Sequence, residues 1–244
     1  MIRYLAIGLL ATLGTVTGCV NADDSHARGG RDKGGTTNQT SEDDDANPVN
    51  GSVHVKAGEK RGGLSTVNGS IQIDDNASVA GAQTVNGNIG LGAHATADSA
   101  ETVNGSITLG DGASVSHTVS AVNGALTLRT GADVAGTLTN VNGHIVLEAA
   151  HVGDGIKTVS GDIDVGSNSH VEGGIFVDKG SDGFLSFFRW RSSSTPRIVI
   201  GPGAVVQGNL RFRRQVRLLV SDHATVGPVS GAAAVTFTGA SPPE

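Results

Sequence analysis

The stretch Thr66-Val-Asn-Gly-Ser-Ile71 returns almost unchanged along this chain: TVNGNI from Thr84, TVNGSI from Thr102, AVNGAL from Ala121 and NVNGHI from Asn140. The asparagines of this turn are Asn50, Asn68, Asn86, Asn104, Asn123 and Asn142, and Ser160 takes the next place. Successive spacings are 18, 18, 18, 19, 19 and 18 residues. A fixed period of that size denotes a solenoid, in which each repeat stacks on the last, and not a string of separate domains.

Each period has the same layout. An alternating pair follows the turn, as in Ile71-x-Ile73, Ile107-x-Leu109 and Ile145-x-Leu147, which is the period of a strand with one buried face. A Gly/Asp-rich bend and a small residue paired with valine come next, as in Ala113-x-Val115 and Ala132-x-Val134. Aliphatic residues recur about every six positions (Val67, Ile73, Val79, Val85, Leu91, Ala97, Val103, Leu109, Val115). Three short strands and three bends per turn predict a single-stranded parallel β-helix of triangular section, all-β, with about 18 residues per turn. At about 4.8 Å per turn, seven regular turns and two or three irregular ones make a rod about 45 Å long. No segment carries a 3.6-residue apolar stripe, and the glycines oppose a helical alternative.

Composition agrees. Glycine supplies 37 of 244 residues and aromatics 3 %, which suits frequent turns around a narrow aliphatic interior. The net charge of −6 points to no partner by itself. Cys19 is the sole cysteine, so an intramolecular disulfide and a cysteine metal cluster are both excluded.

Cys19 follows Arg3 and an apolar stretch from about Leu5 to Val16, too short to span a membrane as a helix and laid out as a secretory signal. Val16-Thr17-Gly18-Cys19 resembles the bacterial lipobox, which implies cleavage before Cys19, acylation of its thiol and anchoring to a membrane by lipid. Val20 after the cysteine implies the outer membrane, by resemblance to sorting in Gram-negative bacteria. Residues 1–18 are thus read as signal and 19–48 as a flexible tether, because Asn21 to Pro48 lacks large apolar residues and cannot offset its chain entropy.

The regular β-helix is read as residues 49–180, a break as 181–197, further turns as 198–239 and a tail as 240–244. The break, SDGFLSFFRWRSSSTPR, holds Phe184, Phe187, Phe188 and Trp190, half of the aromatics. Arginines gather in and after it: Arg189, Arg191, Arg197, Arg211, Arg213, Arg214 and Arg217. Two readings follow: a loop covering an open side or end of the rod, or a contact site for lipid head groups, an acidic glycan or another copy of the chain. Nucleic acid is not expected as a partner of an exported lipoprotein.

The asparagine row is read as a structural ladder, in which stacked side-chain amides bond along the axis. Asn-Gly also takes positive φ readily, which suits a sharp corner. The residue after each turn drifts (Ser52, Ser70, Asn88, Ser106, Ala125, His144, Asp162), as a solvated face does. His151 and His170 are 19 residues apart and would be neighbours on one face, but no third ligand repeats in register, so no metal site and no cofactor are expected.

The Val-Asn-Gly-x-Ile repeats resemble the adhesin-type β-solenoid proteins of bacteria, and Ile200-Gly-Pro-Gly-Ala-Val-Val-Gln-Gly-Asn-Leu210 looks like the rungs of bactofilins, polymer-forming β-helical scaffolds. The resemblance spans about Val49 to Gly239. It implies a structural or adhesive protein, with a self-assembling scaffold as the alternative, and offers no catalytic residues. General chirality and the bactofilin likeness favour right-handed winding. Polysaccharide lyases of β-helical shape cluster aspartates with basic residues, whereas Asp74, Asp75, Asp111 and Asp133 are scattered over bend positions, and no Ser/His/Asp set is evident. The chain is therefore not expected to be an enzyme.

Overall fold

The computed structural model describes residues 45–179, 195–239 and 242. The signal segment, Cys19, most of the tether, and Phe184, Phe187, Phe188, Arg189, Trp190 and Arg191 lie outside the described residues. The described body is all β, built as a solenoid of parallel strands.

Alternation in the sequence produces the first column. Ten short strands from Val53–Val55 to Ala234–Phe237 pair in parallel, each with the strand one turn away. Val53, Ile71, Ile89, Ile107, Leu126, Ile145, Ile163, Ile198, Leu218 and Ala234 share one register position. Successive members are 18 or 19 residues apart as far as Ile163, then 35, 20 and 16. The long step carries the inserted stretch, after which the same column resumes at Arg197–Ile200.

The second column is a run of two-residue strands such as Ser114–Val115, Asp133–Val134 and His151–Val152. The third contains Ala100–Asn104, Val119–Asn123 and Thr137–Asn142. In the early turns, Lys60–Asn68 and Ser78–Asn86 run through both columns without a break, which joins them into one 16-stranded sheet. Three strand columns per turn enclose a single aliphatic interior, with Ile73, Ile107, Leu109, Val115, Leu128 and Val134 inaccessible to solvent. Burying an isoleucine or leucine contributes about 1.5–3 kcal/mol, and the first column supplies two such side chains in most turns.

The third column corrects the six-residue aliphatic rhythm. Its inward residues are Leu64 and Thr66, Ala82 and Thr84, and Ala100 and Thr102, while Val67, Val85 and Val103 face outward and are half-buried. A strand alternates strictly, so with Leu64 inside, Thr66 is inside and Val67 is not. In these three turns the buried hydroxyls are not orphaned, unlike that of Thr158 further along the column. Thr66, Thr84 and Thr102 each donate from Oγ1 to the carbonyl of Gly51, Gly69 and Gly87, one turn back, at 3.0 Å. In a later turn Asn140 takes over, its Nδ2 donating to the Gly124 carbonyl at 2.9 Å.

At Gly69, Gly87 and Gly105 the glycine of Val-Asn-Gly is needed for closeness and not for φ, whereas Gly51, Gly124, Gly143 and Gly161 at the same corner also have positive φ, between 138° and 151°. None of the corner asparagines has positive φ, and neither do Gly69, Gly87 and Gly105. A Cβ on Gly105 would instead overlap the carbonyl of Gly87 in the turn below. The bend after the first column carries a regular series of left-handed residues, Gly58, Asn76, His94, Gly112, Gly131, Ala149, Asn168 and Gly203, with φ between 49° and 73°. Ala149 has no side-chain bond to offset that conformation, which costs an L-residue about 1–2 kcal/mol. Ala149→Gly is therefore expected to stabilise the fold by about 0.5–1 kcal/mol in urea denaturation, the greater freedom of glycine in the unfolded chain removing part of the gain.

Pairing begins within the predicted tether. Ala46 donates to the Gly63 carbonyl (3.2 Å) and accepts from Ser65 (2.9 Å), and the Asp45 carboxylate accepts from Gly63 N at 2.7 Å. The folded body therefore starts a few residues before Val49.

Candidate functional site

Because the corner repeats above itself, its side chains form axial rows. Asn68 Nδ2 donates to Asn50 Oδ1, Asn86 to Asn68 and Asn104 to Asn86, each at 2.9 Å, and Asn123 donates to Asn104 at 3.0 Å. Asn142 is next in register, beside Ser160. Asn68, Asn86 and Asn104 each both give and accept, and each bond contributes within the usual range of about 0.5–1.5 kcal/mol, at the low end for an exposed position.

A second row runs beside it. The side-chain oxygens of Ser52, Ser70, Asn88 and Ser106 accept the backbone N–H of Ser70, Asn88, Ser106 and Ala125, at 2.8–3.3 Å. Over these first four turns the drift in residue type preserves one property, an oxygen within reach of the next turn's amide, which Ala125 and His144 then lack.

Further along the axis the same corner changes character. Val177 follows Thr158 in the third column and Phe212 follows Val177. Lys179, two residues after Val177, stands at the corner where earlier turns carry Val-Asn-Gly. In the following turn the corner is basic. Arg211 and Arg213 are exposed; the Arg213 guanidinium lies 5.2 Å from the Phe176 ring centroid and 4.0 Å from Asp178 Oδ1. Arg214 is committed otherwise, donating from Nη1 to the Val159 carbonyl at 3.0 Å. Arg197 and Arg217 are register partners at the start of the adjoining column. Burial pushes the Asp164 carboxyl above its ordinary range, against the opposing pull of Arg197. Arg211, Arg213 and the neighbouring pair thus gather positive charge at this corner, beside the carboxylates of Asp162, Asp164 and Asp178.

The four aspartates do not converge. Asp74 holds His54 Nε2 at 2.8 Å, Asp75 accepts from Ala93 N at 2.7 Å, and Asp111 lies on the first-column face. Asp133 belongs to a cluster with His151, His170 and Glu172. His151 is the register neighbour of both Asp133 and His170, and the two imidazole centroids are 5.7 Å apart. Its Nδ1 is 2.5 Å from Asp133 Oδ1 and its Nε2 is 3.3 Å from Glu172 Oε1, while Gln207 Nε2 donates to His170 Nε2 at 2.9 Å. Among the described residues no three His, Cys, Asp or Glu side chains are arranged to hold a metal ion. The signal available in the sequence was spacing, since Asp133 and His151 are one turn apart.

The hydrogen bond to Asp133, aided by Glu172, raises the pKa of His151 above its ordinary value of 6.5. A raised folded-state value means that the contribution is complete below about pH 6.5 and disappears as pH rises through the raised value. With its side chain 38 % exposed, the pair is screened and contributes on the order of 0.5 kcal/mol. His151→Asn is thus expected to flatten the fall in melting temperature between pH 6 and 8. The desolvated carboxyls of Glu101 and Asp164, raised from 4.5 and 3.8, also favour acid, but their window starts lower and the variant leaves it intact.

No known protein family, characterised protein or solved structure matches this chain.

Proposed function

We propose that this chain is a lipid-anchored protein of the bacterial cell envelope whose solenoid serves as a non-catalytic rod, in a structural or adhesive role. The observation that carries the reading is the position of Cys19, alone of its kind, directly after Val16-Thr17-Gly18 at the end of a short apolar stretch. Acyl chains on that thiol, each buried CH₂ contributing about 0.8 kcal/mol, would hold the chain to a membrane without a spanning helix. The polar segment after it would let the rod stand off, and the outer membrane is the compartment that Val20 favours. The rod itself supports the reading: its exposed rows are used largely to brace neighbouring turns. The positive corner at Arg211 and Arg213 offers contact to anionic lipid head groups or acidic glycans.

The test is the mass of the native N-terminus together with localisation of Cys19→Ala. The expected result is an acylated Cys19 and loss of membrane association in the variant. A native protein carrying no acyl mass would overturn the anchor.

A self-assembling scaffold is the second reading, favoured by the last turn. Ala234 stands in register with the core residue Leu218 yet is exposed, and Val235 is 53 % exposed. Sedimentation of the full chain decides it, a strict monomer at high concentration excluding assembly.

A further inference from the structure

The outward row of the first column is uneven. Gln72, Gly90 and Thr108 occupy successive turns, so a side chain is missing between two that are present. With Gly92 and Gly110 at the neighbouring bend, this leaves a trough of about 610 Å³ on the face of the solenoid. Its floor is backbone, with Ile89 and Leu91 buried beneath. The Gln72 amide leans over Gly90, so that a Cβ there would meet its oxygen.

One bank of the trough is the row Ser70, Asn88, Ser106. The oxygen of each accepts a backbone amide from the next turn. That commitment orients the remaining donors, the two hydroxyl hydrogens and the Asn88 NH₂, away from the stack at intervals of about 4.8 Å. Asp111 and Arg129 line the opposite bank, and neither makes an ion pair with any described residue.

We propose that this trough binds a linear, uncharged glycan lying along the solenoid axis. Sugar hydroxyls both donate and accept, so they match a row of donors on one bank and a carboxylate with a guanidinium on the other. The charges balance, which gives a polyanion no preference here. Apolar ligands find little to cover, since Ile71, Ile89 and Leu91 are buried and Ala93 is the one partly exposed aliphatic side chain of the lining. An added peptide strand finds no free edge, because the backbone groups of this face are spent between turns. The site deepens the adhesive reading and rests on it. Anchoring is read separately, by acyl mass at Cys19, so failure of one is distinguishable from failure of the other.

The experiment is titration of the full chain, followed by calorimetry, with cello-, manno- and laminari-hexaose and with hexagalacturonate as the anionic arm. Asn88→Asp keeps the oxygen that Ser106 N needs and removes the NH₂ donor. Gly90→Val fills the floor with a residue that suits a strand. At least one neutral hexaose is expected to bind saturably, about tenfold more weakly in Asn88→Asp and with binding lost in Gly90→Val, both variants melting as the parent does. Three results overturn the proposal: no neutral hexaose binds, binding is unchanged in both variants, or hexagalacturonate binds instead and Arg211→Ala with Arg213→Ala removes it. The last would place the glycan at the basic corner.

Discussion

Replacing Gly105 by alanine lowers the melting temperature of the solenoid by about 10 °C, while the same change at Gly81 leaves it within about 2 °C. Both glycines lie outside the left-handed region, so φ does not distinguish them. What differs is the neighbour. A Cβ on Gly105 overlaps the carbonyl carbon and oxygen of Gly87, which are backbone atoms locked between turns. A Cβ on Gly81 meets only Ser99 Oγ at 3.3 Å, the end of a side chain that can turn aside. Opening the stack at Gly105 also lengthens the Asn104–Asn86 bond and the buried Thr102–Gly87 bond, so about 3 kcal/mol or more is lost. At Gly81 the alanine reduces unfolded-state freedom and the net effect is small. Differential scanning calorimetry of the two variants reads the contrast directly.

Removing residues 87–104 shortens the rod by one turn and leaves it folded, whereas removing 87–95 abolishes cooperative unfolding. The first deletion joins Asn86 to Gly105 and restores Val-Asn-Gly-Ser-Ile, with Ile107 taking the register place of Ile89. Every column keeps its sequence of inward residues, and one set of nearest-neighbour contacts is lost, as expected for a quasi-one-dimensional stack. The second deletion joins the corner to Thr96, a second-column residue, and misplaces the strands that follow. Circular dichroism with a thermal scan separates the outcomes: a β spectrum with a sharp transition for the whole-turn deletion, and loss of that transition for the half-turn one.

The fold was legible because its signal is repeated. The alternation of Ile71-x-Ile73 recurs from turn to turn as far as Leu218-x-Val220, and the Asn spacing states the period. The inward choice of threonine over valine at Thr66-Val67 was not legible from hydrophobicity, because a buried hydroxyl is favoured only where the Gly51 carbonyl awaits it, a partner 15 residues away. The role of the corner glycine was hidden for a similar reason: closeness to Gly87 belongs to stacking, and local propensity at Gly105 carries no trace of it. Of the site residues, the Asn row was readable by its period. Glu172 beside His151 was not, since 21 residues separate them and the contact crosses to a different position of the next turn. The aromatic stretch around Phe184 and Trp190, with Arg189 and Arg191, lies outside the described residues, so Arg211, Arg213 and Arg214 are the part of the predicted contact region with a structural place.

The central claim, one stacked turn for each sequence period, is tested most directly by distances between spin labels on the outward row of the first column. Pairs joining His54 to Thr108, Val146 and Asp164 are separated by three, five and six turns. The stack predicts backbone separations of about 14, 24 and 29 Å, rising by about 4.8 Å per turn. Separations that fail to rise by that constant step would contradict it.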